Sequence, residues 1–169
     1  MQPPLLPEET LLRVLRLARG DGLAVLMLAT FFALTAAAVG DITGAVAWLL
    51  LAGAGAGALH GVVLLRGEEA RGLNWLVGSQ LLFLLVVFAY CALRLTHYDP
   101  APLRAALTNE MKATLSQANY NQEDFLLTVY RTTYGLMAGA TLCYKGGLML
   151  FFQRRRAAVT AAVETAEAD

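Results

Sequence analysis

The sequence predicts an all-α integral membrane protein: a four-helix bundle with an amphipathic N-terminal surface helix and a short amphipathic helix in its outer loop. Three observations lead to that class. Four apolar runs, at about residues 23–40, 42–65, 73–95 and 125–152, are each close to or above the ~17–25 residues that a helix needs to cross hydrocarbon. The chain is 57% hydrophobic and only 15% charged, where soluble domains carry about 25% charge. Its basic residues also fall unevenly around the four runs, as the positive-inside rule requires.

The first element covers residues 1–20. From Pro7 to Arg19 the pattern is helical, with Leu11, Leu12, Leu15 and Ala18 on one side and Arg13, Arg16 and Arg19 supplying charge. Pro7 followed by Glu8 and Glu9 suits a helix start, through a fixed φ and the positive end of the macrodipole. A basic amphipathic helix of this kind lies on a membrane surface against anionic lipid. Gly20-Asp21-Gly22 is expected to break it before the first span. The arginines and the Thr35–Ala38 run imitate a cleaved leader, but the long flank and the immediate second run favour a true first membrane helix.

Residues 21–153 form a single membrane domain in this reading. Little more than Gly40-Asp41 separates the first two spans, so they make a tight antiparallel hairpin. Arg66–Gly72 joins the second span to the third, and only the outer loop, 96–124, is long. Arg13, Arg16, Arg19, Arg66, Arg71 and Arg154–Arg156 fall on one side, whereas Arg104 and Lys112 are set among acids on the other. Both termini are therefore expected on the cytoplasmic side, in a bacterial cytoplasmic membrane, with 154–169 a basic-then-acidic tail.

Within the outer loop, Asp99-Pro100 resembles an N-cap with proline at the first helical position. Leu103, Leu107, Met111 and Leu115 recur every four residues, which predicts one amphipathic helix of about three to four turns. The polar run 119–124 then caps the fourth span, with acids at its positive end.

Small residues mark helix contacts. Gly53, Gly57 and Gly61 in the second span, and Gly135, Gly139 and Gly147 in the fourth, recur at multiples of four residues. Apolar area does not drive helices together in a bilayer, so close backbone approach must contribute. Two such ridges on four short spans point to a homo-oligomer or a partner membrane subunit, in addition to the lipid bilayer itself.

The polar residues inside the spans are the candidate functional groups. His60, Gln80 and Lys145 lie ~9 to ~14 Å in from the basic flanks, counted along the helix rise. On the fourth span Arg131, Tyr134, Thr141 and Lys145 fall broadly on one side. A lysine at a helix centre costs roughly 2.5–3.5 kcal/mol on insertion scales, and no acid lies in any span core as drawn. The stripe is thus read as positive and acid-free, suited to an anionic solute, a lipid headgroup or backbone carbonyls.

No catalytic residue, cofactor site or metal site is assigned. His60 and His97 lie at opposite ends of their spans and cannot share a metal. Cys91 and Cys143 differ in depth and behave as small apolar fillers. No P-loop, HExxH or nucleophile elbow occurs, and balanced charge, 13 basic against 13 acidic, gives no call for nucleic acid. The expected function is a non-enzymatic, oligomeric channel- or transporter-type subunit. The alternatives are an accessory or scaffold subunit of a larger membrane complex, or a lipid- or quinone-binding membrane protein.

Overall fold

The computed structural model describes residues 7–118 and 120–166. Among these there are seven helices and no strand: α1 (Pro7–Ala38), α2 (Ile42–Arg66), α3 (Gly72–Thr96), α4 (Ala101–Ala106), α5 (Asn109–Gln117), α6 (Gln122–Arg154) and α7 (Arg156–Ala166). Four of them, α1, α2, α3 and α6, are long and apolar enough to cross a membrane. Their outward faces carry large apolar side chains such as Met27, Phe31, Leu49, Leu85 and Leu136, each more than half exposed. Apolar exposure on that scale suits hydrocarbon rather than water.

The chain divides into two compact units. The first combines the described residues up to Val86 with the described residues from Leu142 onward. Its core is built from Val14, Leu15 and Ala18 of α1, Ala58, Val62 and Leu65 of α2, Leu73 and Leu76 of α3, Leu148 and Phe152 of α6, and Val159 of α7. Helices α1 and α2 make its most extensive contact.

That contact overturns the expected break at Gly20-Asp21-Gly22: α1 runs through it as one helix of 32 residues, so the N-terminal segment is not a separate surface helix. Glycine inside a helix costs about 1 kcal/mol relative to alanine, and close approach offsets it. A Cβ on Gly22 would lie 3.2 Å from the Leu59 side chain. One on Gly55 would lie 2.8 Å from the Leu26 nitrogen and 3.0 Å from the Gly22 oxygen. The two backbones are in contact there, and only glycine permits it.

The hairpin after α1 forms as expected. Gly40 adopts φ +78°, the Asp41 N–H donates to the Ala36 carbonyl at 2.9 Å and the Gly40 N–H to Ala37 at 3.1 Å. This is a Schellman closure, in which glycine takes the left-handed position. Asp41 then caps α2 by accepting from the Gly44 N–H at 3.0 Å. A similar closure ends α2, where Glu68 takes φ 61° and the Glu69 N–H reaches the Leu64 carbonyl at 2.9 Å. The side chain of Glu69 pairs with Arg71.

The stretch read as a basic-then-acidic tail carries a further helix, α7. α7 buries Val159, Ala162 and Val163 and packs against α1. These positions share one helical face by their spacing of three and four.

The second unit spans Val87–Thr141. The single amphipathic helix expected in its loop is two helices, α4 and α5. Leu107 turns extended, with ψ 114°, and Thr108 begins α5 by accepting from the Met111 N–H at 3.3 Å. Threonine at an N-cap supplies an acceptor that a continuing helix does not need, and here that choice outweighs the leucine repeat. At the start of α4, Asp99 accepts from the Ala101 N–H at 2.9 Å. Arg104 and Glu123 pair at 2.6 Å, and the carboxylate beside it raises the Arg104 pKa through a hydrogen bond and charge attraction.

If Gly55 is where α1 and α2 touch, Gly55→Val will lower the stability of the purified protein in mixed micelles by about 1–3 kcal/mol. Gly53→Ala, where a Cβ meets nothing within 4 Å, will not lower it. Unfolding by a denaturing detergent, followed by circular dichroism, measures both.

Candidate functional site

In the first unit, two helices bring polar groups to a carboxylate carried by a third. Asp21 comes from α1, Gln80 from α3, and Tyr144 and Lys145 from α6. The ammonium of Lys145 donates to both Asp21 oxygens, at 2.6 Å to Oδ1 and 2.8 Å to Oδ2. Gln80 Nε2 donates to Oδ2 at 3.1 Å, and the Tyr144 hydroxyl to Oδ1 at 3.1 Å. Each carboxylate oxygen thus accepts two hydrogen bonds. The side chains of Asp21 and Lys145 are each only 4% exposed, and Gln80 is also buried. Lys145 lies over the Phe83 ring, with Nζ 4.5 Å from the centroid, so the ring's negative face adds to the neutralisation.

The position of Asp21 corrects the charge reading of the fourth span. Lys145 does not belong to an acid-free stripe, because a carboxylate from α1 neutralises it. The three residues after Arg19 are part of α1 rather than a breaker, which carries Asp21 into the helix interior. A buried pair of this kind is weak evidence for net stability, since desolvation consumes much of the Coulomb gain. Removing one partner is a different matter, because it strands a charge. The pair therefore fixes which faces of α1 and α6 meet. Gln80 adds α3 to the same point, and its Oε1 is buried without a hydrogen-bond partner.

The remaining sequence-selected residues are distributed as follows. Lys145 and Gln80 join the cluster. His60 is exposed on α2, edge-on to Trp75 with centroids 4.8 Å apart, and takes no part in it. Arg131, Tyr134 and Thr141 belong to the second unit. There Arg131 is exposed and Thr141 half-buried. Tyr134 stands in a tyrosine row, 4.8 Å from Tyr130 and 6.2 Å from Tyr90 between ring centroids. Tyr130 anchors that row by donating to the Arg94 carbonyl at 2.9 Å.

The glycine ridges also differ from the four-residue pattern. Of the second-span set, only Gly61 is at close quarters, where a Cβ would meet the Gly72 oxygen at 2.8 Å. Gly57 has ordinary contact with Ser79 at 3.7 Å, and Gly53 has open space. In α6, a Cβ on Gly135, Gly139 or Gly147 would meet nothing within 4 Å. Gly55 and Gly72 approach a neighbouring backbone at least as closely as Gly61, and Gly22 meets the Leu59 side chain; the ridge pattern selected none of these three.

Asp21 and Tyr144 are the site residues that sequence reasoning missed. One signal was present: a lysine inside an apolar span demands a counter-charge, and Asp21 is the sole acid between Glu9 and Asp41. Among the described residues no group of three or more His, Cys, Asp or Glu is placed to hold a metal ion. Cys91 is buried and Cys143 exposed, both free.

No protein-family model, curated protein or solved structure matches the chain. Fold and site alone define its class: an all-helical chain with four helices able to cross a bilayer and an ion pair buried where α1, α3 and α6 meet.

Lys145→Met should lower stability in micelles by about 3–5 kcal/mol by stranding the Asp21 charge. Asp21→Leu combined with Lys145→Met should recover most of that loss. The double-mutant cycle, measured by detergent unfolding, will show strong coupling rather than additivity.

Proposed function

We propose that the chain is a non-enzymatic multi-pass membrane subunit that assembles with a second membrane helix through α6, with both termini cytoplasmic. The observation that carries this reading is the pairing of Lys145 with Asp21 at 2.6 Å. The one lysine inside an apolar span is engaged within the chain, so its charge serves helix placement rather than attraction of a solute. The accessory or scaffold role is favoured over a conducting role on that ground.

The surface of α6 supports the second part. Only 17% of its most apolar window is buried, against 50% for α2. Gly135, Gly139 and Gly147 lie open on it, beside exposed Leu136 and Leu150. Glycines weaken a helix, and in a bilayer they are useful where another backbone comes close. The occupant is a copy of this chain or a helix of a partner subunit.

One observation favours a second reading, a solute-conducting subunit. The partnerless Oε1 of Gln80 beside the ion pair is a place where a water or ion would be held. Conduction would then require the Asp21–Lys145 pair to open.

Gly139→Leu is expected to shift the complex in mild detergent to a smaller species, by size-exclusion chromatography with light scattering, while helix content stays unchanged. Wild-type protein in vesicles should give no anion flux above that of empty vesicles. A measurable flux abolished by Lys145→Met would favour the conducting reading instead.

A further inference from the structure

The outward face of α1 carries a second set of charges that the ion pair does not use. Arg16 and Arg19 of α1 and Arg66 at the end of α2 line one groove of about 630 Å³, together with Leu12, Gly20 and Leu23. Among the described residues no carboxylate lines it. All three arginines are exposed, and among the described residues none is in an ion pair. Three guanidiniums around one concavity suit a single anionic group, and arginine's planar fork matches phosphate oxygens in particular.

The groove is not an isolated basic patch. It opens onto an apolar track along the same helix: Leu23, Met27, Phe31 and Leu34 are exposed, three of them by more than half. They recur at intervals of four, four and three residues, which keeps them on one face. From Arg19 to Leu34 the track runs ~22 Å along the helix rise, comparable with an extended acyl chain. Arg19 and Leu23 are one turn apart, so the change from charge to hydrocarbon occurs at the groove itself. A free phosphate has no use for such a track.

We propose that Arg16, Arg19 and Arg66 hold the phosphate of an anionic phospholipid whose acyl chain lies along Leu23, Met27, Phe31 and Leu34. This rests on the membrane reading of the chain but not on its assembly through α6. Each arginine near an anionic headgroup contributes about fivefold to retention, and the three together roughly 100-fold.

Native mass spectrometry of the full chain in mild detergent, with phosphatidylglycerol and phosphatidylcholine added in equal amounts, tests the assignment. Wild-type protein should retain phosphatidylglycerol at least about tenfold over phosphatidylcholine. R16Q/R19Q/R66Q should lose that preference, whereas R16K/R19K/R66K, which keeps the charge without the planar fork, should fall between that triple and wild type. R154Q/R155Q/R156Q removes equal charge outside the groove and should leave the preference intact. Equal retention of the two lipids by wild-type protein, or equal loss in both glutamine triples, overturns the proposal. Displacement of the lipid by millimolar inorganic phosphate would assign the groove to a free anion and also overturns it. If R16Q/R19Q/R66Q does not fold, the wild-type lipid preference and the phosphate competition still decide. Gly139→Leu should bind lipid as wild type does, so failure of the assembly reading is scored separately. Recovery of the chain in the aqueous fraction without detergent would instead remove the membrane reading itself.

Discussion

An ammonium and a carboxylate carried into the apolar interior of a helical protein must find each other or be expelled. Asp21 and Lys145 satisfy that condition at 2.6 Å, 124 residues apart in the chain. Their pairing brings one face of α1 against one face of α6. Gln80 extends the constraint to α3 and leaves the first unit little freedom of helix rotation. Hydrophobic burial could not do this alone, because leucine and alanine faces of a membrane helix are nearly interchangeable in lipid. The pair is best understood as a device for specificity, whose removal as a unit is tolerated better than removal of either half.

Around that point the backbone is arranged for close approach. Gly22 and Gly55 let α1 and α2 touch beside Asp21, and Gly61 and Gly72 do the same for α2 and α3. The core then continues from Leu65 and Phe152, at the ends of their apolar runs, to Leu15 and Val159 beyond them. α7 completes it, so a segment that begins at the last of three consecutive arginines contributes to the folded unit. The same continuity of α1 places Arg16 and Arg19 beside Arg66 instead of on a detached surface helix. The helix geometry thus gives the basic groove its shape.

Much of the architecture was legible in the residues. Long apolar runs identify α2, α3 and most of α6 because a spanning helix needs length and little else. The tight turn at Gly40-Asp41 appears as anticipated, and the structure adds what closes it, a left-handed Gly40 and a capping Asp41. Asp21 was misassigned because glycine carries two opposite meanings. In water Gly-Asp-Gly reads as a helix stop, whereas in a bilayer broken backbone hydrogen bonds are costly and glycine becomes a contact residue. That one misreading hid the counter-ion of Lys145. The leucine repeat at 103–115 failed for a related reason, because periodicity is blind to a capping hydroxyl such as Thr108. Val159, Ala162 and Val163 did carry a helical pattern, obscured by flanking charge.

The adjacency of Asp21 and Lys145 inside a membrane is the claim from which the rest follows. Zero-length carbodiimide coupling of the wild-type chain in unextracted membranes, read by peptide mass spectrometry, tests it directly. Activation of the Asp21 carboxylate beside the Lys145 amine should yield an amide joining those two residues. A Lys145 amine that remains free while Asp21 is modified, or that couples to a different carboxylate, would contradict the account.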